Sequence, residues 1–172
     1  MPSATQLIKR DHKKVDNLFK KFSDTKTARA KERVCKQVIE ELEIHAKLEE
    51  EIFYPAVRQQ LGEEEMLDEA RQEHEQAKAI LRELDNLAAK DERLEEKFSE
   101  LVECIQHHVE EEEGELLPKV EDSRMDLSDI GEQMVERREE LMRQASKLER
   151  PRRRAKRKSK TGSRRRRSGR AA

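Results

Sequence analysis

Apolar residues along most of the chain recur at steps of three and four, the spacing of one helix face, and the stripes break where turn chemistry appears. The first stripe is Ile8, His12, Val15, Phe19 and Phe22. It is opened by Ser3 with Gln6 three positions on, the form of a capping box, and ends near Ser23–Asp24. The second runs Val34, Val38, Leu42, His45, Glu49, Ile52, Ala56 and stops around Gly62, a residue suited to the left-handed position after a helix end. The third is Leu67, Ala70, His74, Ala77, Leu81 and Leu84, with a break near Lys90–Asp91. The fourth is Leu94, Phe98, Leu101, Ile105, His108, Glu112 and Leu116, closed by the Pro118 to Ser123 region. A fifth segment, Leu127 to Leu148, starts at Asp126/Ser128 and carries the thinner apolar face Ile130, Met134, Leu141, Met142. This pattern predicts an all-α protein: an up-down-up-down antiparallel four-helix bundle with an additional C-terminal helix packed on its outside or end.

Composition agrees with long helices. Of 172 residues, 45% are charged and 3% aromatic, there is no Trp, and five Gly and four Pro leave little material for the turns of a many-stranded β fold. No run approaches the ~18 to 20 apolar residues of a spanning helix, and MPSATQLIKRDH lacks the apolar stretch of a secretory signal. The expectation is a soluble cytoplasmic protein without a membrane partner. Cys35 and Cys104 have no CxxC spacing and are expected to be free thiols packing as small apolar groups.

Charge is sharply segregated. Residues 151–172 hold twelve Lys and Arg and no acid; with totals of 38 basic and 39 acidic, residues 1–150 keep 26 and 39 and stand at −13. The division expected is therefore a bundle over 1–124, an accessory helix over 125–150 and a disordered Arg/Lys-rich tail over 151–172. Arg152, Arg153, Arg154, Lys156, Arg157, Lys158, Lys160, Arg164, Arg165, Arg166, Arg167 and Arg170 would give salt-sensitive, sequence-nonspecific attachment to DNA, RNA or another polyanion. The alternative is that the tail folds back on its own acidic body. Nucleoid association would follow from the first, and in a eukaryotic cell the same residues would read as a nuclear-import signal.

Each of the four main stripes contains one histidine, and the second and fourth add a glutamate one turn later: His45 with Glu49, and His108 with Glu112. Residues at i and i+4 share a helix face, so each pair aims an imidazole and a carboxylate at the core. Burying four imidazoles and two carboxylates is costly unless they are compensated, and a transition metal takes both as ligands. The chain also repeats itself. His45 to Pro55 aligns with His108 to Pro118, and Asp11–His12 with Glu73–His74, so the bundle is two hairpins related by offsets of 63 and 62 positions. His107 is in phase with Cys104 and Glu111 on the neighbouring face and is read as non-ligating. Glu50 and Glu113 are auxiliary ligand candidates, and Tyr54, one residue off the stripe, is read as a rim residue capping the bundle. No Ser or Cys with a positioned His–acid relay and no glycine-rich phosphate loop is evident.

His12, His45-x3-Glu49 before Phe53–Tyr54–Pro55, Glu73–His74, and His108-x3-Glu112 before Leu116–Leu117–Pro118 together resemble the hemerythrin-like, or HHE cation-binding, family over residues 3–122. The resemblance implies a non-haem centre of two irons, bridged by oxo or hydroxo and carboxylate groups. His12 and His45 would hold one iron, His74 and His108 the other, and Glu49 and Glu112 would bridge them. Manganese and zinc are the competing metals. Oxygen-carrying members place a second histidine where this chain has Lys78, and an aspartate five positions after the fourth-helix histidine where this chain offers Glu112 at four. Fewer terminal histidines leave more coordination positions for small ligands. The expected function is thus sensing or handling of iron, O2, NO or peroxide rather than reversible oxygen carriage. The alternatives are a peroxidase, catalase-like or NO-reducing enzyme, and a nucleic-acid-associated protein acting through its tail.

Overall fold

The computed structural model describes the backbone of residues 2–164 and the side chains of residues 2–146. Helix α1 (Ala4–Asp24) is started by Ser3, whose hydroxyl accepts from the Gln6 backbone N–H while the Gln6 side chain accepts from the Ser3 backbone N–H. Helix α2 (Ala28–Leu48) passes into a π-helical turn, π1 (Glu49–Phe53), and continues as α3 (Tyr54–Leu61). Gly62, at φ 86°, ends it in the left-handed region that glycine enters without a Cβ penalty. Helix α4 (Glu64–Asn86) leads to α5 (Arg93–Glu111), which passes through π2 (Glu112–Leu116) into α6 (Leu117–Glu121). Helix α7 (Leu127–Arg164) follows. Among the described residues there is no strand and no helix long and apolar enough to cross a membrane.

Helices α1 and α2 pair as one hairpin and α4 and α5 as the other, with α2 against α4. The apolar stripes meet at one end of the bundle. Phe19, Phe22, Val38, Leu81, Leu84, Phe98 and Leu101 form a continuous core there, with the Phe22 and Phe98 rings stacked at 3.6 Å between centroids. Cys35 is part of this core and Cys104 packs against it, both as free thiols. Burial pushes the Cys35 thiol up to about 11, so it behaves as an apolar group at neutral pH. The four histidines occupy the stripe positions next to this core.

The π turns correct the register expected beyond Glu49. Ile52 and Ala56, which a continuous α-helix would bury, are only partly buried, whereas Phe53, Tyr54 and Val57 are closed off from solvent. The backbone shows why. The Tyr54 N–H donates to the Glu49 carbonyl and the Leu117 N–H to that of Glu112, each five residues back. The extra residue rotates the following stripe by one position. In both hairpins this happens just before a proline, Pro55 or Pro118, which has no N–H to give to an α-helical ladder.

The chain divides into two compact units, the first ending at Val135 and the second beginning at Glu136. In the first unit, α7 starts against the N-terminus: Ile130 and Met134 are buried, and a Cβ built on Gly131 would lie 2.5 Å from the Pro2 carbonyl oxygen and 3.0 Å from the Ala4 nitrogen. In the second unit the described side chains form local pairs such as Arg137–Glu140 and Arg143–Glu139. Helix α7 continues past Leu148, where the sequence pattern ends, to Arg164. Arg, Lys and Ala are good helix formers, a local preference that acts without an apolar stripe. Residues 165–172, including Arg165, Arg166, Arg167 and Arg170 of the expected basic tail, lie outside the described residues.

The close approach at Gly131 makes a specific prediction. Gly131→Ala should cost about 1–3 kcal/mol through overpacking against backbone, while Gly114→Ala, whose added methyl meets nothing within 4 Å, should cost nothing. Urea unfolding of the two variants beside the parent chain checks this.

Candidate metal centre

All six ligand candidates are buried: His12, His45, Glu49, His74, His108 and Glu112. Their rings and carboxylates meet where the four long helices face one another. The ring centroids stand in two close pairs, His12–His45 at 4.9 Å and His74–His108 at 4.6 Å. The distances between pairs are longer, 6.4 Å for His12–His108 and 6.5 Å for His45–His74. Glu49 reaches across. Its Oε1 is 3.2 Å from His45 Nε2 and its Oε2 is 3.2 Å from His74 Nε2. Glu112 does the same with one oxygen, Oε2 lying 3.3 Å from His12 Nε2 and 3.8 Å from His108 Nε2. His74 and His108 point their Nε2 atoms at each other across 3.2 Å.

Each imidazole has a carboxylate behind it. His12 Nδ1–H donates to Glu113 at 2.7 Å, His74 Nδ1–H to Glu50 at 2.9 Å, and His108 Nδ1–H to Glu73 at 2.8 Å; Asp11 stands 3.6 Å from His45 Nδ1. A proton held on Nδ1 leaves the Nε2 lone pair facing the centre, the arrangement of a metal-ligating histidine. Glu50 and Glu113, read from sequence as auxiliary ligands, are found in this outer ring. Asp11 and Glu73, visible in the sequence only as parts of the repeat, complete it. Lys78 stands over Glu50, with Nζ 2.8 and 2.9 Å from the two carboxylate oxygens. His107 is directed away from the centre and is 64% exposed.

Tyr54 requires correction. It is 1% exposed, and its hydroxyl lies 3.2 Å from Glu49, 3.1 Å from Glu112 and 3.5 Å from His74 Nε2. The π1 turn delivers it there by advancing the register one residue. Only the paired Pro55 and Pro118, as markers of a helix irregularity, could have signalled this from sequence. The phenol thus faces both carboxylates and is within reach of whatever they hold.

Four buried polar atoms in this cluster have no hydrogen-bond partner: His12 Nε2, His45 Nε2, Glu49 Oε1 and Glu112 Oε2. Each unsatisfied buried group costs about 1–3 kcal/mol, and the four face one another in two pairs, His12 Nε2 and Glu112 Oε2 at 3.3 Å and His45 Nε2 and Glu49 Oε1 at 3.2 Å, without hydrogen-bond geometry. Two overlapping donor sets result, one of His12, His45, His108 and Glu112, the other of Glu49, His74 and His108. Within each set the donor atoms all lie within 4.8 Å of one another. A mixed imidazole and carboxylate set in a bundle core suits two metal ions. On the apolar side the histidines border a cavity of about 20 Å³, lined also by Val15, Leu42, Ala77 and Lys78. This is room for a water-sized molecule.

Without a metal the cluster must be charge-balanced by protons. Burial disfavours a charged ring at His12, but the Glu112 carboxylate facing it at 3.3 Å outweighs that and raises His12 to about 9. Burial likewise opposes ionisation of Glu112, yet His12 and His108 hold it down to about 2. Glu49 is pushed well above the usual carboxylate range by burial and by Glu112, and burial lowers His45 to about 4 against the pull of Asp11. Burial, Glu112 and Glu49 raise the Tyr54 phenol, so it keeps its proton.

The fold and site define a metal-binding four-helix bundle. The Hemerythrin HHE cation binding domain model matches residues 3–120, and the chain belongs to that family. A hemerythrin-like protein of Schizosaccharomyces pombe, itself described as uncharacterised, is 29% identical over 123 residues, covering 70% of this chain and 61% of that protein. A DNA nickase of Nostoc sp. is 26% identical over 114 residues, 66% of this chain but 32% of the nickase. The chain thus spans less than two thirds of either relative. The crystal structure of a hemerythrin HHE cation binding domain-containing protein from Mycobacterium kansasii superposes with a TM-score of 0.76 at 23% identity, covering 87% of this chain and 93% of that one. At that identity it establishes the shared fold.

A bound metal needs Glu49 ionised and His12 neutral, so loading near pH 7 should release protons. Affinity should rise with pH until His12 is neutral without metal, near 9. Calorimetric titration with Zn2+ in buffers of different ionisation enthalpy measures this; uptake without proton release contradicts it. Separately, Glu113→Ala should weaken metal affinity about 10- to 100-fold by freeing the His12 ring, read by competition with a chromophoric chelator.

Proposed function

We propose that this protein holds a non-haem di-iron centre that binds or reacts with O2, NO or peroxide, as a sensor or an iron and redox-stress protein. The observation that carries the reading is the convergence of four unpartnered buried donor atoms beside a cavity of about 20 Å³. His12 and His45 would hold one metal and His74 and His108 the other, with Glu49 and Glu112 shared between them. The pairing follows the shorter ring distances within pairs. Iron there would supply redox and small-ligand chemistry. The chain's own residues would fix the imidazole tautomers through Asp11, Glu50, Glu73 and Glu113, and the apolar walls would exclude bulk water.

Lys78 bears on ligand choice. It stands one turn after His74, where an additional ring would close a coordination position, and instead it lines the cavity and clamps Glu50. That leaves room at the metals for an exogenous ligand. An enzymatic role is the second reading, favoured by the Tyr54 hydroxyl 3.1 Å from Glu112 and 3.2 Å from Glu49. It is a buried proton donor of the kind that peroxide cleavage or NO reduction requires. The basic stretch from Arg152 onward would add salt-sensitive attachment to nucleic acid, a reading in keeping with the DNA nickase among the relatives.

Anaerobic purification, iron counting and optical spectra before and after O2 or NO test the first reading. Ligand-dependent bands and a loss of thermal stability on chelation are expected; a metal-free protein of unchanged stability refutes it. Tyr54→Phe separates the first two readings. Loss of steady-state peroxide turnover with iron content retained supports the enzyme, and stoichiometric reaction unaffected by the substitution supports the sensor.

A further inference from the structure

The two hairpins are related by the sequence repeat, but the faces they present beside the centre differ. At the second hairpin a pocket of about 80 Å³ runs in to His108 and Glu112 and is walled by Glu69, Glu73, Glu111 and Glu115. The repeat-related positions of Glu69, Glu111 and Glu115 in the first hairpin are Leu7, Leu48 and Ile52, and that of His107 is Ile44. Leu7, Ile44 and Leu48 are buried, and α7 begins against that end of α1, with Gly131 at Pro2–Ala4. One face is therefore apolar and closed, and the other is acidic and open.

At the open face, Glu73, His107 and Glu111 form a third donor cluster, with one ligand atom from each within 4.8 Å of the others. His107 Nε2 is 3.4 Å from Glu73 Oε1 and 3.2 Å from Glu111 Oε1. His107 and Glu111 repeat the His-x3-Glu pair of the inner centre, turned one residue around α5. Ligands of a tetrahedral first-row ion stand about 3.3 Å apart, the separation that His107 Nε2 already has from Glu73 and Glu111, so small side-chain movements would close the three donors on an ion. Glu73 links this cluster to the centre, because its other oxygen accepts from His108 Nδ1 at 2.8 Å. Glu112 lines the inner end of the same pocket, with its Oε2 turned to the inner histidines, 3.3 Å from His12 Nε2 and 3.8 Å from His108 Nε2, so the pocket reaches the back of the inner donor set.

We propose that Glu73, His107 and Glu111 form an outer site for a divalent first-row transition ion, and that the acidic pocket behind it is the route by which metal enters the buried centre. The entry role rests on the reading of that centre as a metal site. A mixed imidazole and carboxylate set selects this class of ion. The −13 charge of residues 1–150 draws cations toward the protein, and a cleft walled by one sign of charge concentrates them locally. His107, outside the inner ligand set by phase and exposure, acquires a role as the outer imidazole.

Cobalt(II) uptake by the full-length chain tests this, with absorbance following the filling of the inner centre and equilibrium dialysis giving total cobalt. His107→Ala and Glu111→Gln lie at the surface and leave the core intact; Glu103→Gln, an exposed acid outside the pocket, is the control. Both variants should bind one cobalt fewer than the parent and should fill the inner centre about tenfold more slowly, with E103Q matching the parent. Unchanged cobalt content, or filling as fast as in E103Q, overturns the proposal. If the inner centre takes up no cobalt in the parent, the di-metal reading fails and the entry role with it. A cobalt still bound to the parent and lost in H107A would then leave the outer site standing alone.

Discussion

Four imidazoles and two carboxylates share a space from which water is excluded, and the structure is arranged around what that costs. An isolated buried carboxylate or imidazolium is unstable in an apolar interior. Here the charges compensate each other in part, through the His12–Glu112 contact and the proton that Glu49 retains. Compensation is incomplete, since His12 Nε2 and Glu112 Oε2, and His45 Nε2 and Glu49 Oε1, face each other at 3.3 and 3.2 Å without hydrogen-bond geometry. Those four atoms are the strongest physical reason to regard the cluster as a metal centre. A polar network of purely structural use would have been closed by hydrogen bonds, as the Nδ1 sides of His12, His74 and His108 are.

The helices carry the consequences. An uninterrupted α-helix would present Glu49 and then Ile52, Ala56 to the core; the π1 turn instead places Glu49, Phe53, Tyr54 and Val57 there, and π2 buries Glu112, Leu116, Leu117 and Val120 in the same way. Each irregularity begins at a glutamate of the buried cluster, Glu49 or Glu112. A proline stands two positions after each, at Pro55 and Pro118.

Much of this was legible in the sequence. Three- and four-step stripes located the long helices, Ser3–Gln6 marked the first cap, and the in-phase His and Glu residues together with the repeat identified the inner cluster. What periodicity could not reveal was the register change, because a stripe extended at 3.6 residues per turn assumes an uninterrupted ladder. Tyr54 was misplaced for that reason. Asp11, Glu50, Glu73 and Glu113 were hard to rank because a carboxylate beside a ligand stripe looks like a solvated face until its distance from an imidazole Nδ1 is known. The asymmetry between hairpins was present in the letters, as Leu7, Ile44 and Leu48 against Glu69, His107 and Glu111, but its meaning depends on α7 beginning beside the first hairpin.

Ligation of two metal ions by the six buried side chains is open to anomalous diffraction at the iron edge from crystals grown and loaded without oxygen. Two peaks are expected, one between His12 and His45 and the other between His74 and His108, with Glu49 and Glu112 reaching both. A centre free of anomalous density in fully loaded crystals, or peaks ligated by other residues, would refute ligation by these six side chains.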